Sequence, residues 1–147
     1  MTFEFEESWP LTEAQRGIWF AQDSDPDNPM LNNGEFYELK GRLDVGALEE
    51  AVAVMAAEAD VLRTRFHVTE SGPRQSLDPT TTHPTRIVDL TEEADPYATA
   101  RAMVHADLAT PLDMVEDSLY TNVLFRLDEE HHLWYQRAHH LLVDGYS

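Results

Sequence analysis

Near its end the chain reads Ala138-His139-His140-Leu141-Leu142-Val143-Asp144-Gly145-Tyr146-Ser147. Imidazole, with an ordinary pKa near 6.5, takes up and releases a proton around neutrality, and a carboxylate nearby can orient the ring or the loop that carries it. In an extended segment neighbouring side chains point to opposite faces, so His139 and His140 cannot both reach one substrate or one metal, and one of them is structural. Three residues separate His140 from Asp144, and Gly145 supplies freedom for a sharp turn, which sets the carboxylate beneath a loop that begins at the histidine. Strand, loop and turn together can hold an imidazole in a fixed pose. The same residues also read as a hydrogen-bonded core histidine, a His-His metal pair, or a plain Asp-Gly turn. The metal reading is the weakest of these, because no cysteine and no second histidine at helical spacing lies nearby.

The elements that must position these residues can be read from the pattern along the chain. Thr12 and Gln15 have capping-box spacing, and Leu11, Ala14, Ile18 and Ala21 recur at helical intervals, so Leu11 to Gln22 reads as a helix. A polar loop with two prolines follows, Asp23 to Pro29, and then a weakly alternating strand, Glu35 to Lys40. A second helix runs from Val45 to Ala59 behind an Asp44 cap, and the stripe Leu48, Ala51, Val52, Met55 and Ala59 is expected to face the core. Leu62 to Val68 alternates as a half-buried strand and turns at Ser71-Gly72-Pro73 to pair with Arg74 to Leu77. Thr85 to Leu90 is a further short strand, and Asp95-Pro96 starts a helix that reaches Leu108. Leu119 to Leu127 and Leu133 to His139 are strands joined across Asp128-Glu129-Glu130, which leaves His131 and His132 as exposed turn residues.

Composition narrows the function. A chain of 147 residues with 42% hydrophobic content can bury one core. Ten basic residues against 28 acidic ones give a net charge of −18, which repels a phosphate backbone, so nucleic acid is not an expected partner. No apolar run is long enough to cross a bilayer, and the start is acidic where a secretory signal is positively charged, so the expected location is the cytoplasm and no membrane partner is expected. There are no cysteines, hence no thiolate metal site and no cysteine nucleophile.

With these motifs in view the chain resembles a known family. His139-His140-Leu141-Leu142-Val143-Asp144-Gly145 is similar to the HHxxxDG signature of the condensation domains of nonribosomal peptide synthetases, members of the chloramphenicol-acetyltransferase-like superfamily of thioester-dependent acyltransferases. LTEAQRGIWFAQ, Leu11 to Gln22, resembles the first core motif of that family, ADVLRTRF, Ala59 to Phe66, resembles the second, and the three stand in the family's order. The chain departs from the common pattern at Gly17-Ile18, Ala59-Asp60 and Asp117-Ser118, where Arg-Leu, His-Glu and Gly-Pro are usual, and these departures bear on subtype. Both histidines argue against the heterocyclisation branch and the X-type recruitment domains, and the first motif resembles the condensation type more than the epimerisation type.

The resemblance implies an α/β fold, a chloramphenicol-acetyltransferase-like lobe in which a mixed sheet is covered by helices. It implies that residues 1–147 are the amino-terminal lobe of a two-lobed condensation domain whose second lobe is absent from this chain, so that the fragment alone is inactive. The implied reaction is attack by the amine of an acceptor aminoacyl thioester on a donor acyl or peptidyl thioester, which makes an amide in the biosynthesis of antibiotics and siderophores. The implied partners are acyl or peptidyl carrier proteins bearing phosphopantetheine, with the donor in trans if Met1 is the native start, and the domain itself binds no cofactor and no metal. His140 takes the role of base or positioner of the amine, His139 and Asp144 shape the loop, and the Gly145 backbone N–H faces the developing oxyanion. Arg63 occupies the place of the family arginine that pairs with the motif aspartate, here Asp144. A carboxylate after Leu141-Leu142-Val143 is expected to be partly buried and to need such a partner. On the predicted strand Arg63 shares a face with Arg65 and His67, which also fits an ordinary exposed polar face. The alternatives are a coenzyme A-dependent small-molecule acyltransferase of the same superfamily and a catalytically silent module that docks carrier proteins.

Overall fold

Side-chain caps set where the three helices begin in the computed structural model, which describes residues 7–144. Helix α1 (Glu13–Ser24) opens on a capping box: the Gln15 N–H donates to the Thr12 hydroxyl at 3.2 Å, and the Thr12 N–H donates to the Gln15 side chain at 2.9 Å. Helix α2 (Val45–Glu58) starts where Asp44 accepts the Ala47 N–H, and α3 (Pro96–Leu108) where Asp95 accepts the Ala98 N–H with Pro96 at the first helical position. Such a cap contributes about 1 kcal/mol to its helix.

The strands form two sheets. In the smaller, β1 (Trp9–Pro10), β4 (Gly72–Leu77) and β3 (Thr64–Thr69) lie side by side and antiparallel, with Gly72 at φ +106° taking the tight turn between β3 and β4. The larger has the order β2 (Asn32–Lys40), β7 (His131–His139), β6 (Tyr120–Arg126), β5 (Arg86–Asp89). Its strands are antiparallel except β5 and β6, which run parallel through the α3 crossover, so the sheet is mixed as the resemblance implies.

Each helix-covered face encloses a core. Ala100 and Val104 of α3 pack on Val123, Phe125, Leu133 and Tyr135 of the larger sheet. Trp19 of α1 and Phe66 of β3, with ring centroids 6.3 Å apart, share a second core with Leu119, Tyr120, Leu141 and Leu142. The apolar run after the histidines is therefore an anchor. Leu141 and Leu142 turn into the core and stabilise the loop by about 2 kcal/mol each. Among the described residues no helix is long and apolar enough to cross a membrane.

Several elements differ from their expected form. Val52 and Ala56 are the buried residues of α2, whereas Ala51 and Met55, assigned to the core from periodicity, are exposed. The predicted strand from Leu62 starts only at Thr64, because Asp60–Arg63 closes a 3-10 turn in which Thr64 Oγ1 donates to the Asp60 carbonyl. His131 and His132 are not turn residues but the first two positions of β7, and His132 is buried. The hairpin is tighter than predicted, since the Leu127 and Asp128 N–H groups both donate to the His131 carbonyl.

Candidate active site

Strand β7 ends at His139, and its alternation puts Leu133, Tyr135, Arg137 and His139 on the face that packs inward. His139 is 1% exposed. Its backbone N–H donates to the Leu119 carbonyl at 2.9 Å, which ties the end of β7 to the residue before β6. The Leu141 N–H donates to His139 Nδ1 at 3.1 Å, so Nδ1 carries the lone pair. Nε2 then holds the proton and donates to Gln22 Oε1 at 3.2 Å. The Gln22 side-chain nitrogen faces the carbonyls of Asp25, Pro26 and Asn28, which leaves its oxygen toward the ring. Burial, with smaller contributions from the charges of His140 and Arg137, pushes the His139 pKa down to about 4. His139 is thus held as a neutral ring that organises the turn after it.

His140 lies one residue beyond the strand and is half-buried. Its backbone N–H donates to the Leu31 carbonyl at 2.9 Å, and the Leu142 N–H donates to the His139 carbonyl at 2.9 Å, which closes a turn over residues 139–142. Its Nδ1 lies 3.2 Å from the Val143 carbonyl. A carbonyl can only accept, so Nδ1 is the donor, and in the neutral ring Nε2 carries the lone pair. The two rings are therefore opposite tautomers, one fixed by a backbone N–H and the other by a backbone carbonyl.

Asp144 is exposed, contrary to the expected partial burial: after Leu141 and Leu142 turn inward, the chain returns to the surface through half-buried Val143. It borders an open cleft of about 370 Å³ beside the turn, with Leu62, Val61, Ala138, Gln136 and Val143 among its walls. Arg63 belongs to the 3-10 turn rather than to the strand face with Arg65 and His67, and its Nη2 is engaged by Asp60. Gly145 lies outside the described residues. Gln22 is a site residue that sequence reasoning passed over. It sits inside the stretch that resembles the first core motif, but nothing local marks it as the partner of a histidine 117 positions away.

The family model described as Condensation domain matches residues 5–147. The dimodular nonribosomal peptide synthase of Bacillus subtilis is 39% identical over 139 residues, covering 95% of this chain and 6% of that protein. Enterobactin synthase component F of Escherichia coli is 36% identical over 140 residues, covering 94% and 11%. Among solved structures, the starter condensation domain of rhizomide synthetase RzmA superimposes with a TM-score of 0.89 at 33% identity, over 96% of this chain and 34% of that one. A mutant of that domain has been solved in complex with C8-CoA. The first condensation domain of the calcium-dependent antibiotic synthetase, in complex with a substrate analogue, gives a TM-score of 0.84 at 32% identity, over 95% of this chain and 34% of that one. The chain thus spans about a third of the solved domains and a small part of the synthetases it matches.

Proposed function

The chain belongs to the condensation-domain family, and from that premise we propose that it is the amino-terminal lobe of a domain that forms amide bonds between thioester-bound substrates in nonribosomal peptide synthesis. Its coverage of 34% of the solved domains supports the reading as one lobe of two. The observation that carries the chemistry is the His140 ring, whose Nδ1 is engaged by the Val143 carbonyl so that Nε2 is the nitrogen able to take a proton. In the proposed reaction the acceptor amine attacks the donor thioester carbonyl, and a new C–N bond forms. As the tetrahedral adduct collapses, the C–S bond breaks and the donor thiol leaves. Only the free amine attacks, and Nε2 of His140 accepts its hydrogen bond or its proton as the nitrogen becomes cationic. By its place in the motif, the Gly145 N–H is assigned as the donor to the developing oxyanion.

Donor and acceptor arrive on the phosphopantetheine arms of carrier proteins, and the domain supplies positioning and proton handling without a bound cofactor. The test mixes an acyl-loaded donor carrier, an aminoacyl-loaded acceptor carrier and the two-lobed protein that contains this chain, and follows the acceptor by mass spectrometry. Amide on the acceptor is the expected result, and its absence from well-folded, fully loaded partners overturns the reading. The 147-residue chain alone is expected to give no product in the same assay, because half of the proposed substrate channel is missing. A second reading, with a coenzyme A thioester as donor, is favoured by the C8-CoA complex of the similar starter domain. Product formed from acyl-CoA without any donor carrier selects it.

Arg63 and Asp144 are proposed to tie the histidine loop to the 3-10 turn that carries the second motif. In support, Leu62, the neighbour of Arg63, lines the same cleft as Asp144. Because Asp144 is exposed and Asp60 already engages Arg63, the coupling expected from an Arg63→Ala, Asp144→Ala double-mutant cycle on stability is modest, about 0.2 to 1 kcal/mol. Strictly additive effects assign Arg63 to Asp60 alone.

A further inference from the structure

The buried face of β7 carries a guanidinium two residues before His139: the Arg137 side chain is 7% exposed. A cation so enclosed requires a paired and hydrogen-bonded site. Its Nη1 donates to Asp107 Oδ1 at 2.7 Å, at the penultimate position of α3, and the Tyr135 hydroxyl donates to Asp107 Oδ2 at 2.7 Å. Burial and the bond to Asp107 raise the Tyr135 phenol far above its usual range, so it stays a donor. Arg137 Nη2 reaches the Ser118 carbonyl at 3.3 Å, and the next carbonyl, that of Leu119, accepts the His139 N–H.

The same end of α3 is also fastened to β2, the strand beside β7. Asn32, the cross-strand partner of His139, donates its side-chain amide to the Leu108 and Thr110 carbonyls at 3.1 and 2.8 Å. Gly34, opposite Arg137, lets Leu108 come so near that a Cβ at position 34 would lie 2.6 Å from its Cδ2. The end of β7 is thus tied to the end of α3 twice, directly through Arg137 and by way of β2 through Asn32, and Arg137 spans the helix and the segment before β6 with one rigid fork.

We propose that Arg137 and Asp107, assisted by Tyr135, are positioning residues of the condensation site, holding the end of β7 so that the His139–His140 turn presents His140 in its reactive pose. The proposal rests on the reading of His140 given above. Lysine cannot reproduce it, since one ammonium on a flexible stem does not span a carboxylate and a carbonyl in fixed geometry.

The test uses the two-lobed protein that contains this chain. Arg137→Met with Asp107→Leu removes the pair with side chains of similar shape, an exchange that buried ion pairs commonly tolerate in stability, here at the added cost of the acceptor for the Tyr135 hydroxyl. The expected result is a folded protein whose kcat falls roughly tenfold while KM for the acceptor carrier stays within about twofold, with Arg137→Lys restoring little of the loss. Ring 15N resonances of His139 and His140 should lose their opposite-tautomer pattern. A folded double variant with kcat within about twofold of wild type and unchanged ring resonances overturns the proposal. Should the double variant not fold, Asp107→Asn, which keeps the shape and weakens both bonds, is read by the same criteria and decides the matter. If His140→Ala proves fully active while the ring resonances still respond to Arg137, the functional reading of His140 fails and the positioning of the turn stands.

Discussion

In the two-lobed protein, His140→Ala should slow amide formation by about two to four orders of magnitude and leave the melting temperature nearly unchanged. The second half of that expectation comes from what the substitution spares. The loop is held by backbone bonds from His140 to Leu31 and from Leu142 to His139, by the His139 ring, and by the burial of Leu141 and Leu142. Among the described residues, the side-chain bond lost is that from the ring Nδ1 to the Val143 carbonyl, at a partly exposed position. The first half follows from the Nε2 lone pair, which alanine removes together with the ring that positions it. Single-turnover transfer between two loaded carrier proteins is the measurement, since it separates chemistry from carrier exchange. Turnover near wild type in a folded variant would remove both the base and the positioning role from His140.

Much of the frame that holds this residue was legible in the sequence, for reasons that differ element by element. The caps of α1 and α3 are written in local chemistry, the Thr12–Gln15 box and Asp95-Pro96, and the structure uses both, although α1 begins at Glu13, two residues after the Leu11 that its periodicity predicts, because Thr12 is the cap and not the first turn. The exposed face of α2 was not legible. Alanine and valine run all round that helix, so its pattern does not choose a face, and only packing reveals that Val52 and Ala56 are the residues that enter the core. Strand β3 starts two residues later than its alternation predicts, because the pattern continues into Leu62 and Arg63 while the turn that interrupts it depends on bonds to Asp60. At the site, alternation alone implied that one histidine of the pair must be structural. That it is His139 depends on Gln22, and the support of its strand depends on Asp107, 30 positions before Arg137. Contacts at such separation leave no periodic trace, although an arginine on the inward face of a strand, in line with Leu133, Tyr135 and His139, was the available signal.

His139 also makes the domain acid-labile in a way that can be measured. Its pKa is depressed from 6.5 to about 4, first by burial and then by the charges of His140 and Arg137. The unfolded chain binds a proton near pH 6.5 that the folded protein refuses until about pH 4, so stability is complete above the unfolded value and declines as pH falls through the interval between the two. The full depression corresponds to about 3 kcal/mol, a large share of the 5 to 15 kcal/mol typical of a whole domain. Protonation also has a local consequence: a proton on Nδ1 would face the Leu141 N–H that now donates to it, opening the turn that presents His140. His67 and His132, both lowered by burial, add to the same trend, so the comparison must isolate His139. His139→Asn offers an oxygen near the place of Nδ1 and does not titrate. The variant should be less stable than wild type at pH 7, where the Gln22 bond is lost. Between pH 6.5 and 4 its denaturant midpoint should fall less steeply than that of wild type, because the remaining slope belongs to the other histidines and the carboxylates. Equal slopes in the two proteins over that interval would mean that His139 takes up its proton in the folded state without cost, which is incompatible with a neutral ring holding the turn.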